Sequence, residues 1–413
     1  MPNTDPPGKP SSSPFVKPFL YALNRMQERE SLRPEQLEER ARALLNERFG
    51  PSEKQPHVRF ASGCAGLMSE HTHFFDGFAL MMPLPMGTAV AVRPASGSDS
   101  CVAFEGSRNL NLTLRFASNR AYVEPSDDPL RIQLVQALIR QIPSPPAPVE
   151  VAIVTTTSEQ RTDSNLTALA VALAHALAGA FPESFFTPAT VAASIGQCAH
   201  RPFSSAYPLA VWEGEPGAFM LVDTGTQERL PVDAPERDVM GWGLVQTSCP
   251  AAHDPAFYLS RQKKAEQALQ RLNERGFADL TSFRTLEHRD LQQALAVLPA
   301  KARPLVRYLV GENRRVQKLV AAIRRKDWQM FGALLLMSHA SKRCDLELSC
   351  PEADFVVELV EQMLIEGMYG ASLTGWGGSV LIAGQPYSIP HGLDQIRAGT
   401  MQRFGDTPEV MLL

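Results

Sequence analysis

Residues 61–94 read ASGCAGLMSEHTHFFDGFALMMPLPMGTAVAVRP, and they constrain this chain more than any other stretch. Two apolar runs, 79–83 and 88–94, follow a polar knot of Glu70, His71, Thr72, His73, Asp76 and Gly77, and a third run, 57–61, precedes it. Short apolar runs bounded by polar, Gly or Pro residues read as strands. The knot therefore belongs to a loop between strands. Its carboxylate and imidazoles either face a ligand or pin the strand–loop junction.

The rest of the first half mixes both element types. Residues 1–14 hold five prolines and four Ser/Thr with few apolar side chains, a composition that predicts a disordered tail. Residues 15–50 read as helix, with Leu37, Ala41, Leu44 and Leu45 on one face and Gly50–Pro51 as the stop. Residues 110–115 alternate as a half-buried strand does. Helix is expected over 129–142, strand over 149–154, and an apolar helix from Asn165, with Ser164 or Asn165 as its N-cap. Strands are expected at 218–223 and 228–232.

The second half opens on a strand-like run at 239–247, and helices then dominate, at 258–276, 305–324, 328–338 and 355–366. One strand is expected over 371–383. The polar, Pro-containing stretch 231–237 marks the expected boundary. The chain divides into a tail at 1–14, an N-terminal domain at 15–234 and a C-terminal domain at 235–413. Its 413 residues suffice for two such cores.

Charge narrows the function classes. The formal net charge is −4 and no long basic run occurs, which argues against nucleic acid as a partner. The most apolar helical run, 166–181, contains Thr167, His175 and Gly179 and is shorter than the roughly 20 residues of a spanning helix. No membrane association is expected. Six cysteines lie scattered without CxxC pairs, so they read as free thiols in a reducing, cytoplasmic setting, with no metal site expected.

Residues 61–94 resemble the galactokinase signature, in which a strand leads into G-R-x-N-L-I-G-E-H-T-D-Y-x-D-G, an apolar strand, and L-P-x-G-T-x-V. Gly63, Leu67, Glu70, His71, Thr72, Asp76, Gly77 and Phe78 match without a gap, as do Leu84, Pro85, Gly87 and Thr88. Further similarities follow in the family's order: Tyr258 and Arg261; Glu312, Asn313 and Val316; Ser338, His339, Asp345, Glu347, Ser349 and Asp354; and the glycine-rich 370–378. The resemblance spans residues 36 to 383. It implies the α+β two-domain fold of the GHMP small-molecule kinases, with a mixed α/β N-terminal domain, an α+β C-terminal domain and the active-site cleft between them.

The family moves a phosphoryl group from ATP to galactose, so the resemblance implies Mg-ATP as cofactor and galactose or a related hexose as partner. Such a transfer rests on positioning and charge stabilisation. By resemblance, Glu70, His71 and Tyr258 contact sugar, and His73 stands where the family has a sugar-binding Asp. The family's catalytic arginine aligns with Cys64. Its catalytic aspartate lies sixteen residues before the residue here numbered Asp223, which places Tyr207 at that position. No Asp or Glu occurs between Glu183 and Glu213, so a small slip in register changes nothing. No catalytic group of the family is then retained.

The phosphate loop is altered as well. The family uses a Gly/Ser-rich loop ahead of a helix, where backbone N–H groups and the helix dipole hold phosphates. Residues 155–164 read TTTSEQRTDS, without glycine and with Glu159 and Asp163 adding negative charge. The last motif, Thr374–Gly378, is two residues short, leaving Gly375, Gly377 and Gly378 as the nucleotide-side residues. A degenerate sugar kinase that keeps a sugar-binding cleft is the expected function. The alternative is an active sugar 1-kinase with rebuilt groups, His73 supplying a base. The resemblance names no protein partner.

Overall fold

The computed structural model describes residues 33–69, 72, 75–106, 111–117, 129–143, 148–157, 162–212, 218–247, 255–277, 280–375 and 378–413. The tail at 1–14 and the start of the first expected helix lie outside them. In chain order the first half comprises α1 (Pro34–Phe49), β1 (His57–Met68), β2 (Phe78–Pro94), β3 (Asp99–Glu105), β4 (Asn111–Ala117), α2 (Pro129–Ile139), β5 (Val149–Thr155), α3 (Thr162–Ala180), α4 (Pro188–Cys198), α5 (Ala206–Val211), β6 (Ala218–Asp223) and β7 (Glu228–Asp233). The second half comprises β8 (Gly241–Gln246), α6 (Pro255–Glu274), α7 (Leu291–Val297), α8 (Arg303–Arg325), α9 (Trp328–Ser341), α10 (Pro351–Gln362), β9 (Met368–Thr374), β10 (Ser379–Gly384), α11 (Ser388–Phe404) and β11 (Glu409–Leu412).

Two sheets result, an α+β arrangement. The first runs β4-β3-β5-β2-β6-β7, with β1 paired to β2, and the second runs β11-β8-β10-β9. The long strand β2 organises the first sheet. β1 lies antiparallel along it from Leu80 to Val92, while its other neighbours divide it, β6 at residues 78–81 and β5 at residues 88–94. The two strand-like runs expected here are thus one strand. Met82, Leu84 and Met86, on its middle, are buried in a cluster shared with the second half. That burial on a second partner keeps the segment extended where only β1 pairs with it.

Burial follows the sequence periodicity. Leu37, Ala41, Leu44 and Leu45 of α1 are fully buried against Val58, Ala89, Ala91, Ala103, Ala152 and Val154 on one face of the first sheet. Gly50 ends α1 with φ of 82°, a left-handed backbone that glycine adopts without strain. The other face carries α2 to α5, with Leu166, Leu169, Leu173 and Leu177 of α3 in its core. A third cluster joins the halves: Leu67, Met68, Leu80 and Leu84 pack with Trp242, Leu244, Leu319, Phe331 and Leu381. An apolar interface of this kind resists relative motion of its two sides.

Polar links tie the second half to the strand after the polar knot. Phe78 N–H donates to Asn313 Oδ1 on α8 at 2.8 Å. Arg284 pairs with Asp223 at 2.6 Å, donates to the Asp76 carbonyl at 3.3 Å and stands 4.3 Å over the Phe78 ring.

Several elements differ from the sequence expectation. The strand expected over 371–383 is the antiparallel pair β9 and β10, because Gly375 and Gly378 take positive φ and reverse the chain. Helix α2 stops at Ile139 rather than residue 142, and β3, α4, α5 and α7 appear where sequence periodicity marked nothing. Among the described residues, no helix is long and apolar enough to cross a membrane.

Candidate functional site

The first sheet, helices α3 and α5, and the second sheet meet at a cavity of about 30 Å³. It is lined by Cys64 and Ala65 of β1, Leu84 of β2, Asp163 and Ser164 of α3, and Tyr207 of α5. Leu244 of β8, Thr374 and Gly375 at the end of β9, and Ser379 of β10 close it. A volume of this size holds one or two waters.

The middle of β1 sets the geometry. Its register against β2 shifts between Ser62 and Cys64 and again between Gly66 and Met68. Gly63 sits against the Ser164 hydroxyl, where a Cβ would collide. Cys64 N–H donates to Ser164 Oγ at 3.1 Å, and Thr374 Oγ1 donates to the Gly66 carbonyl at 2.7 Å. β1 is thereby stitched to α3 on one side and to the last glycine-rich turn on the other.

The N-cap expected at Ser164 or Asn165 does not form. Helix α3 already begins at Thr162, which places Ser164 within its first turn, and the Ser164 hydroxyl is turned to β1 rather than back to its own helix.

Cys64 and Tyr207 do come together. Both are buried, at 3% and 4% exposure, with Cys64 Sγ 4.0 Å from the Tyr207 carbonyl oxygen. Burial, and secondarily the charge of Asp163, push the Cys64 thiol up, so it stays neutral. The Tyr207 ring packs on Phe203 at 5.5 Å and brings its hydroxyl to the turn, where a Cβ on Gly375 would lie 3.7 Å away.

The charged pair of the cavity comes from elsewhere. Asp163 and Arg201, whose side chains are 8% and 6% exposed, form an ion pair. Arg201 follows α4, and its guanidinium lies 5.4 Å from the Phe203 ring centroid. Sequence reasoning noted the acid and missed the arginine. A signal was present: Arg201 is the single Lys or Arg in the acid-free stretch 184–212, so its counter-charge had to lie in another segment.

Ahead of α3, the threonine hydroxyls are taken up internally. Thr155 Oγ1 bonds Thr88 Oγ1 at 2.9 Å and Thr157 Oγ1 at 2.8 Å, and Gly87 N–H donates to Thr156 Oγ1 at 3.1 Å. Residues 158–161 lie outside the described residues, as do Glu70, His71, His73 and Gly377. Tyr258 is buried on α6 with its ring edge-on to Phe257, and it does not line the cavity. Among the described residues, no group of three His, Cys, Asp or Glu side chains is placed to hold a metal.

Behind the glycine turn, His339 and Asp354 brace β9. Leu373 N–H donates to His339 Nδ1 at 3.3 Å, which leaves Nε2–H to donate to Asp354 Oδ1 at 3.0 Å. Burial alone would raise the Asp354 carboxyl, but hydrogen bonds from His339 and Ser349 outweigh it and hold the group below its ordinary 3.8. A carboxyl depressed in the folded state contributes stability above its unfolded value and loses it as pH falls through the folded one. Asp354→Asn is therefore expected to be less stable than the parent at neutral pH and to converge on it below about pH 4. Urea midpoints across pH 2–7 check this, and a constant gap would show that Asp354 contributes through packing.

The comparisons agree with this architecture. The family model described as "Galactokinase galactose-binding signature" matches residues 43–94. The chain is 27% identical to human galactokinase over 383 residues, covering 89% of this chain and 92% of that protein. It is 27% identical to galactokinase of Actinobacillus pleuropneumoniae over 359 residues, 84% and 88% of the two chains. Among solved structures, Lactococcus lactis galactokinase complexed with galactose superposes with a TM-score of 0.77 at 18% identity, covering 90% of this chain and 96% of that one. Methanococcus jannaschii mevalonate kinase superposes at 0.55 with 13% identity, covering 88% and 98%. Its signature segment and its relatives along most of its length liken the chain to the galactokinases, and its fold is that of the GHMP small-molecule kinases.

Proposed function

We propose that this chain is a degenerate galactokinase: a cytoplasmic protein that keeps a sugar-binding cleft and carries out little or no phosphoryl transfer. One observation carries the reading. Where the family resemblance puts a catalytic arginine and aspartate, Cys64 and Tyr207 are buried on one cavity, the thiol neutral and set against the Tyr207 backbone carbonyl. Neither supplies a permanent positive charge, and a phenol with an ordinary value near 10 is a poor base at neutral pH.

The residues present do not fit Mg-ATP. The hydroxyls of Thr155, Thr156 and Thr157 are spent on β2 and on each other, and the first turn of α3 presents the Asp163 carboxylate. That carboxylate, already paired with Arg201, occupies the end of the cleft where a phosphate would sit. Gly375 and Gly378 then serve the chain reversal between β9 and β10, with Gly375 set against the Tyr207 hydroxyl, and Gly377 is the third nucleotide-side residue that the resemblance gives.

Glu70, His71, His73 and Tyr258 are assigned to the sugar. Hydroxyls both donate and accept, which suits a carboxylate, imidazoles and a phenol. The family match over residues 43–94 supports that assignment for Glu70, His71 and His73, and galactose or a related hexose is the ligand proposed. The two sheets support a division into units at 15–234 and 235–413.

The same match favours a second reading, an active sugar 1-kinase in which His73 supplies the base. Calorimetry with galactose and with Mg-ATP, each alone, separates the two. Heat of binding is expected with galactose and not with Mg-ATP. Saturable binding of both would favour the second reading instead.

A further inference from the structure

We propose that the Asp163–Arg201 ion pair is a built-in stopper: the Asp163 carboxylate takes the anion position at the start of α3, and Arg201 is its counter-cation. The chain thus fills the phosphoryl end of its own cleft. The inference deepens the degenerate reading and rests on it.

Four observations meet here. Asp163 lies in the first turn of α3, a 19-residue helix whose N-terminal dipole favours negative charge. Its partner arrives from a loop 38 residues away, and both side chains are more than nine-tenths buried, so the contact is part of the folded interior. Asp163 lines the cavity with Cys64, Tyr207 and Gly375, and its charge reaches the Cys64 thiol. The threonines that precede the helix bond to β2 and to one another instead of standing open to a ligand.

Helix dipole and guanidinium together make an anion site. A carboxylate held there excludes a second anion by charge and by volume. Deleting that carboxylate leaves the donors in place and opens a site for a phosphate.

Thermal unfolding of the full chain in inorganic phosphate, at ionic strength fixed with chloride, tests this. Asp163→Ala is expected to melt lower than the parent and to be stabilised saturably by phosphate, binding it at least tenfold more tightly than the parent does. Asp163→Ala/Arg201→Met should lose that response. Should Asp163→Ala not fold, Asp163→Asn keeps the side-chain shape, and titration calorimetry with phosphate reads the same gain. Phosphate leaving the tested variant unmoved, or acting equally on the parent or on the double variant, overturns the stopper. Mg-ATP binding by the parent chain would instead overturn the degenerate reading, so the two failures are distinct.

Discussion

Galactose phosphorylation by this chain is expected to run at least about 10²–10⁴-fold below that of a family member with an intact catalytic pair, since a positioned general base typically contributes that much. On the proposed reading the place of the catalytic Asp is taken by Tyr207, 4% exposed and packed on Phe203. Loss of a charged donor aimed at developing charge costs about 10²–10³ by analogy with oxyanion-hole deletions. On the same reading Cys64 takes the place of that donor, with a thiol kept neutral by burial. The two factors need not multiply, because groups that act as a unit are not additive. A coupled ADP-release assay with galactose and several other hexoses measures the rate. Turnover of about one per second on any of them, within the ordinary enzyme range, would defeat the prediction.

Restoring the pair is constrained by space. Cys64 is 3% exposed and touches Tyr207, so Cys64→Arg alone overpacks the centre, a change that typically costs about 1–3 kcal/mol. Joined with Tyr207→Asp, it removes the ring that fills the space and supplies the opposite charge. The double variant should therefore fold better than the single one.

Much of the fold was legible because it is written in local periodicity. The buried face of α1 follows from the spacing of Leu37, Ala41, Leu44 and Leu45, and β5 and β6 follow from the apolar runs at 151–154 and 218–222. The short helices α4 and α5 were not legible, because most of their residues are small or weak helix formers held by packing on α3. β2 was read as two strands because Pro83 and Pro85 interrupt its pattern, whereas in the fold only β1 pairs with that middle stretch.

The candidate site divides in the same way. The proximity of Cys64 and Tyr207 was legible through the family resemblance, which carries long-range contacts that spacing cannot. The Asp163–Arg201 pair was not, since nothing local joins residues 38 apart and the family pattern did not point to it. Ser164 shows the limit of a capping rule. Its hydroxyl suits a helix start, but β1 offered it a buried N–H at Cys64, and that long-range partner won.

Arg201→Met is expected to destabilise the chain by about 3–5 kcal/mol, the usual result of removing one partner from a buried ion pair. Methionine keeps the apolar stem of the arginine but not the guanidinium that lies over Phe203, so a small part of the loss is packing. What changes is that Asp163, with its side chain 8% exposed, loses this counter-charge in a region where water cannot replace it. Against a typical folding free energy of about 5–15 kcal/mol, the loss is large enough to read directly from urea unfolding midpoints. Arg201→Met/Asp163→Leu should recover most of it, because two apolar side chains in place of a buried pair are often neutral or stabilising. The single variant should also regain stability on acidification. Protonating Asp163 removes a buried charge that has lost this counter-ion, so the gain appears at low pH and fades as pH rises. A double variant as unstable as the single one at every pH would mean that Arg201 acts by filling space, and the ion pair would then lose its place as the charged centre of this cleft.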